Sequence, residues 1–172
     1  KDLPVSAAEF SRPVDRRHLT AQPVRLVADE AERKALAKRF GLVAIGRLEA
    51  TVSLAAEGEA VVAQGTLSAD VVQSCAVTGD DLPVTIAEPL ALRFVPEIAS
   101  EEEEVELAEE ELDEIAYSGT AFDLGEAVAQ SLALAIDPYA TGPGADEVRK
   151  ETGLADEASS GPFAALAGLK KE

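Results

Sequence analysis

Hydrophobic and polar positions along this chain follow two different periods. Leu48, Ala50, Val52 and Leu54 alternate with Arg47, Glu49, Thr51 and Ser53. That period of two is a half-buried strand. After a turn at 57–59, Val61, Ala63, Leu67, Ala69, Val71, Cys75 and Val77 share one parity, with Thr66, Ser68, Asp70 and Ser74 on the other. "TGDD" at 78–81 makes a second turn. A third strand then carries Leu82, Val84, Ile86, Leu90, Leu92 and Phe94 on even positions, with a bulge expected at Pro89. The three runs form an antiparallel meander with one wet face. Two short strands precede it, in "FSRPV" (10–14) and "QPVRLVA" (22–28).

The period changes to that of a helix in two places. In "DEAERKALAKRFG", Asp29 can cap the N-terminus and Gly41 can close the C-terminus. Glu30 and Glu32 suit the positive end of the dipole, Lys38 and Arg39 the negative end. Leu36 and Phe40 mark the buried face of a helix over 29–40. In the second place Asp123 and Glu126 form a D-x-x-E start, and Leu124, Val128, Leu132 and Ile136 form the apolar stripe of a helix over 124–136. These elements predict an α+β fold: an antiparallel sheet of five or six strands, open or curled into a barrel, carrying two main helices. The body is expected over residues 1–137, with a flexible acidic loop at 99–114. Residues 138–172, rich in Gly, Pro and Ser, read as a flexible linker and a C-terminal motif.

Charge sharpens this picture. The 172-residue chain has a formal net charge of −18, unevenly spread. Residues 1–48 hold 10 basic and 6 acidic side chains, net +4. Residues 49–100 hold 1 and 8, net −7, and residues 101–172 hold 4 and 19, net −15. Such polarity lets one end meet phosphate while the other faces cations. No apolar run approaches the ~20 residues of a membrane span, and no secretory leader is visible. One cysteine excludes an internal disulfide and suggests a reducing compartment. The expected setting is the cytoplasm, with neither membrane nor DNA as partner.

Little in the residues favours catalysis. A structural zinc takes about four Cys or His ligands; the chain has one Cys and one His. Cys75, sharing parity with Leu67, Val71 and Val77, reads as core filler, and nothing in sequence orients His18 toward it. No phosphate-binding glycine loop, G-x-S-x-G or H-E-x-x-H occurs. Catalytic residues, metal ligands and cofactors are therefore all expected to be absent. The binding candidates are Arg33, Lys34, Lys38 and Arg39, which read either as an RNA phosphate contact or as an ordinary exposed helix face. Arg16, Arg17, Arg25 and Arg47 add to the same basic third. The run 99–114 has ten acids in sixteen residues and reads as a dock for a basic protein or as a solvating spacer. Phe163, Leu166 and Leu169 form a helical stripe suited to partner docking or to capping the body.

Three ordered segments resemble one family. They are "VVQSCAVTGDDLPVTIAEPLALRFVPE" (71–97), "EIAYSGTAFDLGEAVAQSLALAIDPY" (114–139) and "GPFAALAGLKK" (161–171). Together they look like the bacterial YceD (DUF177) family, in its alphaproteobacterial form. The resemblance implies a non-enzymatic ribosome-biogenesis factor supporting accumulation of large-subunit (23S) rRNA and assembly of that subunit. The implied partners are that rRNA or its precursor and a ribosomal protein or assembly factor. The alternative is an acidic adaptor or holdase that binds a basic ribosomal protein and never touches RNA. Many family members carry C-x-R-C at the hairpin. Here Cys75 matches the first Cys, but Val77 and Thr78 stand at the Arg and the second Cys, so no role of that pair carries over. Asp123, Leu124 and Glu126 match the start of the family's second helix, and Pro162, Phe163, Ala164, Leu166 and Lys170 its terminal motif.

Overall fold

A computed structural model describes residues 8–97 and 113–152. In chain order the elements are β1 (Pro13–Asp15), a 3-10 turn (Arg16–His18), β2 (Val24–Val27), α1 (Glu30–Phe40), β3 (Ala44–Glu57), β4 (Ala60–Ser74) and β5 (Asp81–Pro96). Then follow β6 (Asp113–Tyr117), β7 (Ala121–Asp123), α2 (Leu124–Ala135) and α3 (Ala145–Glu151). The fold is α+β, as the pattern predicts. Most of the 99–114 acidic run, and all of Phe163, Leu166 and Leu169, lie outside the described residues.

The main sheet has five strands in the order β2-β3-β4-β5-β6. It is open, with β2 and β6 as its edges, so it is not a barrel. Nor is it wholly antiparallel: β6 pairs with β5 in parallel, Leu92 facing Asp113 and Pro96 facing Tyr117. Hairpins force antiparallel pairing, whereas a parallel return needs a dozen or more residues. The stretch between Glu97 and Asp113 supplies that length. β1 and β7 form a separate two-stranded sheet.

Alternation puts Leu48, Ala50, Val52, Val61, Ala63, Leu67, Ala69, Val71, Ile86, Leu90, Leu92 and Phe94 in the core. Ile45 is buried too, although its parity differs from that of Leu48. A bulge between Ile45 and Arg47 slips the register by one residue and turns both inward. No bulge occurs at Pro89, which stays in register opposite Thr66. Proline needs no ladder bond when its nitrogen faces the sheet edge.

The helices cover this apolar face. α1 starts with a reciprocal capping box: Glu32 N donates to Asp29, and Glu32 accepts from Asp29 N. It ends at Gly41, whose φ of 67° is left-handed. Leu36 and Ala37 are buried, while Phe40 is only partly so. In α2, Leu124, Val128 and Leu132 are fully buried, contributing about 2 kcal/mol each. Asp123 ties the N-terminal segment to α2. It accepts from Ser11 Oγ at 2.6 Å, Arg12 N at 2.8 Å and Glu126 N at 3.1 Å.

Residues 138–152, placed by composition in a linker, hold α3 and touch the body. Ala145 is buried, and Ala76 N donates to Ala140 O at 3.0 Å; just before the stretch, Asp137 O accepts from Gln73 Nε2 at 2.8 Å. This stretch lies against the β4–β5 hairpin, where Gly142 N donates to Cys75 Sγ at 3.3 Å.

Candidate nucleic-acid interface

Four cations of α1 were candidates, and the fold separates them. Arg33, Lys34 and Lys38 line one groove, of about 420 Å³, between α1 and the start of β3. Ala37, Leu42, Val43, Ala44 and Ile45 form its apolar side, with Val43 half exposed, and Glu30 is the acid on its rim. The groove exists because Gly41 turns the chain sharply from α1 into β3. Val43 N then donates to Val72 O at 2.9 Å, pinning the first residues before β3 beside β4.

The charges in the groove are loosely held. Lys34 Nζ meets Glu30 Oε1 at 2.6 Å, but both side chains are exposed, so water screens the pair and it holds them only weakly. Arg33 Nη1 donates to Ala28 O at 2.7 Å. Lys38 has no ion-pair partner among the described residues.

Arg39 behaves differently. It does not line the groove. Its guanidinium forks onto Glu126 at 2.7 and 3.0 Å and onto Glu9 at 3.0 Å, which raises its pKa above the ordinary arginine value. It thus clamps α1 to α2 and to the N-terminal segment. Most other N-terminal cations are also engaged. Arg17 bonds Asp15, Arg25 bonds Glu49, and Arg47 bonds Asp70 and Glu49. Arg12, which no sequence signal singled out, forks onto Glu32 at 2.7 and 3.0 Å.

Cys75 lies just past the end of β4, not within the strand as its parity suggested. It is buried, yet its sulfur faces backbone amides: Gly142 N donates to Sγ at 3.3 Å and Thr78 N at 3.4 Å. These donors, Gly142 first and then Thr78 and Val77, draw the thiol down to about 6. Hydrogen bonds to the charged form favour it. An unfolded thiol titrates near ~8.5. Between those values the native state has lost its proton and the unfolded state has not. Stability from this group is therefore fully present above the unfolded value and lost as pH falls through 6. Thiolate absorbance in the native protein is expected to titrate near 6, and the stability gap to a Cys75→Ser variant should widen from pH 6 upward. A native midpoint near the unfolded value would contradict these contacts.

His18 is remote from this thiol. Its neighbour Arg16 bonds Glu59 O, just before β4, whereas Cys75 follows the other end of that strand. Among the described residues no group of three His, Cys, Asp or Glu could hold a metal. None of the described helices is long and apolar enough to cross a membrane.

Among curated proteins and among solved structures no significant match is found. Comparison with protein families matches residues 63–170 to the family described as large ribosomal RNA subunit accumulation protein YceD. The matched stretch holds most of β4, all of β5 to β7, α2 and α3; α1 and its groove precede it. With well over half of its length matched, and with the hairpin, the α2 start and the terminal motif in order, the chain belongs to the YceD family.

Proposed function

We propose that this chain is a non-enzymatic, cytoplasmic ribosome-biogenesis factor that supports accumulation of large-subunit rRNA and assembly of that subunit, and that it touches the RNA at the α1 groove. One observation carries the RNA contact: Arg33, Lys34 and Lys38 converge on a single concavity. Phosphates can take Lys34 and Lys38 at little cost, because no strong ion pair has to break. Arg39 is a clamp, and its loss would disturb the fold instead.

The test is fluorescence anisotropy on a single-stranded fragment of large-subunit rRNA. Lys34→Glu combined with Lys38→Glu is expected to weaken binding roughly tenfold to a hundredfold. The same variant should lower the salt slope by about one to two, since each single-strand phosphate contact contributes ~0.7. Unchanged affinity and slope would remove RNA from this groove. A complex with a ribosomal protein that survives ribonuclease, and that the double variant retains, would favour a protein adaptor instead.

A further inference from the structure

A second concavity, of about 380 Å³, lies between the outer edge of β5 and α2. Glu88, Pro89, Leu90, Leu92, Asp113 and Leu134 are among the residues lining it. β6 covers β5 only from Leu92 to Pro96, so the edge from Asp81 to Ala91 has no strand partner among the described residues. Across the cleft, Leu134 of α2 is 82% exposed, the most exposed large hydrophobic among the described residues.

The charges around this cleft are unusual in their placement. Ile86, Leu90, Leu92 and Phe94 share the inward register of β5 and are buried. Glu88 has the same register between Ile86 and Leu90, yet it is exposed. Asp113 faces Leu92 and shares register with Ile115 and Tyr117. Two carboxylates thus occupy inward-facing positions beside apolar groups. Neither has a cation partner among the described residues, and no Lys, Arg or His lines the cleft.

The backbone adds a second bias. Pro83 and Pro89 stay in register with β4, opposite Val72 and Thr66. Without an N–H to give, a proline fits there only with its nitrogen toward the open edge. By alternation Asp81, Thr85, Ala87 and Ala91 face the same way and offer both N–H and C=O. The edge therefore carries six carbonyls and four amide donors, and is rich in acceptors.

We propose that this cleft takes an extended, lysine- and arginine-rich segment of another protein, laid beside β5 as an added strand. Strand addition supplies backbone bonds, and pockets for alternate side chains supply selectivity. The segment's cations would meet Glu88 and Asp113, and one of its apolar side chains would cover Leu134. Prolines and inward charges also guard sheet edges against unwanted pairing. In a chain of net charge −18 they repel another copy of itself while admitting a cationic strand. Every residue named here lies within the stretch that matches the family, unlike the α1 groove. The proposal is independent of RNA binding at that groove.

The test uses the full chain and a short peptide in which Lys and Arg alternate with Val. In the free protein the Thr85, Ala87 and Ala91 amides should exchange quickly with deuterium, and the peptide should slow them. Leu134→Arg with Glu88→Lys should weaken the peptide about tenfold or more. Unfolding curves will show that these exposed changes leave the fold intact. A Gln variant combining Glu101→Gln, Glu102→Gln, Glu103→Gln and Glu104→Gln should leave affinity within about threefold, beyond general screening. A peptide with Pro at alternate positions, which cannot pair, should bind weakly. The proposal fails if the wild-type chain does not bind the peptide, or if the amides are already protected in the free protein by the chain's own residues. It also fails if the Gln variant alone loses binding, if the Pro peptide binds equally well, or if an RNA oligonucleotide protects the amides in place of the peptide.

Discussion

Gly65→Ala is expected to cost roughly 3 kcal/mol or more, a large share of the ~5–15 kcal/mol that holds a domain together. Gly65 sits in the middle of β4, opposite Val52 of β3. A Cβ added there would overlap the carbonyl oxygen of Thr51 and lie 2.8 Å from Val52 Cα. Both are backbone atoms and cannot rotate away. β3 would have to move, and it is bonded to β2 on its other side through the same residues: Val52 faces Val24, and Thr51 faces Arg25. One methyl group therefore loads three strands at once. The urea midpoint of Gly65→Ala should fall sharply, or the variant should fail to fold. Gly58→Ala gives a contrast, since nothing lies within 4 Å of a Cβ there and only its positive φ opposes substitution. It should cost about 1 kcal/mol. A Gly65→Ala midpoint equal to wild type would mean that β3 and β4 are not this close.

Phe94→Ala should destabilise the protein by about 3–5 kcal/mol, through lost burial and the cavity left behind. Phe94 is 1% exposed and stacks on Phe122 with ring centroids 4.1 Å apart; Tyr117 packs on Phe122 at 5.7 Å. This trio joins the main sheet to the small sheet that leads into α2. Removing the Phe94 ring leaves Phe122 without its stacked partner, so the neighbours can close the gap only by moving β7. Val27→Ala, on a half-exposed side chain, should cost less than about 1 kcal/mol. The comparison is read from chemical denaturation curves, and equal midpoints for the two variants would place the core elsewhere.

Gly65 and Phe94 mark the two sides of what was legible. Phe94 was plain in the sequence, as the last of the even-numbered apolar residues of its strand. Alternation is a property of the backbone pleat, so it survives in any register. The α1 limits were plain for a similar reason. Asp29, Glu32 and Gly41 satisfy the helix ends with residues close in sequence, and the structure shows each in that role. Gly65, in contrast, was only a gap in a strand pattern. Its meaning depends on how closely Thr51 approaches from another strand, and no local signal reports that distance.

The candidate site divides in the same way. The basic stripe of α1 could be read from spacing, since residues three and four apart share a helix face. Which cations stayed available could not. Arg39 pairs with Glu126, 87 positions away, and Lys38 does not pair among the described residues, although the two are adjacent in the chain. The apolar side of the groove, Leu42 to Ile45, follows directly on the helix, but only the turn at Gly41 brings it beneath the cations. The open edge of β5 was beyond sequence reading as well, because it results from a parallel partner that covers only five of its sixteen residues.

Cys75 shows the limit most clearly. Its parity with Val71 placed it in a strand, and its burial is real. Yet β4 stops at Ser74, and the thiol enters a ring of backbone donors that includes Gly142, 67 positions later. By itself the sequence determined the two main helices, the faces of the long strands, the charge polarity and the motifs of the family. These arise from periodicity and from contacts a few residues apart. The tertiary structure alone decided the parallel strand, the clamp at Arg39, the environment of Cys75 and the two grooves. Each of these depends on groups brought together from distant parts of the chain, where free energy is set by through-space distance and not by spacing in sequence.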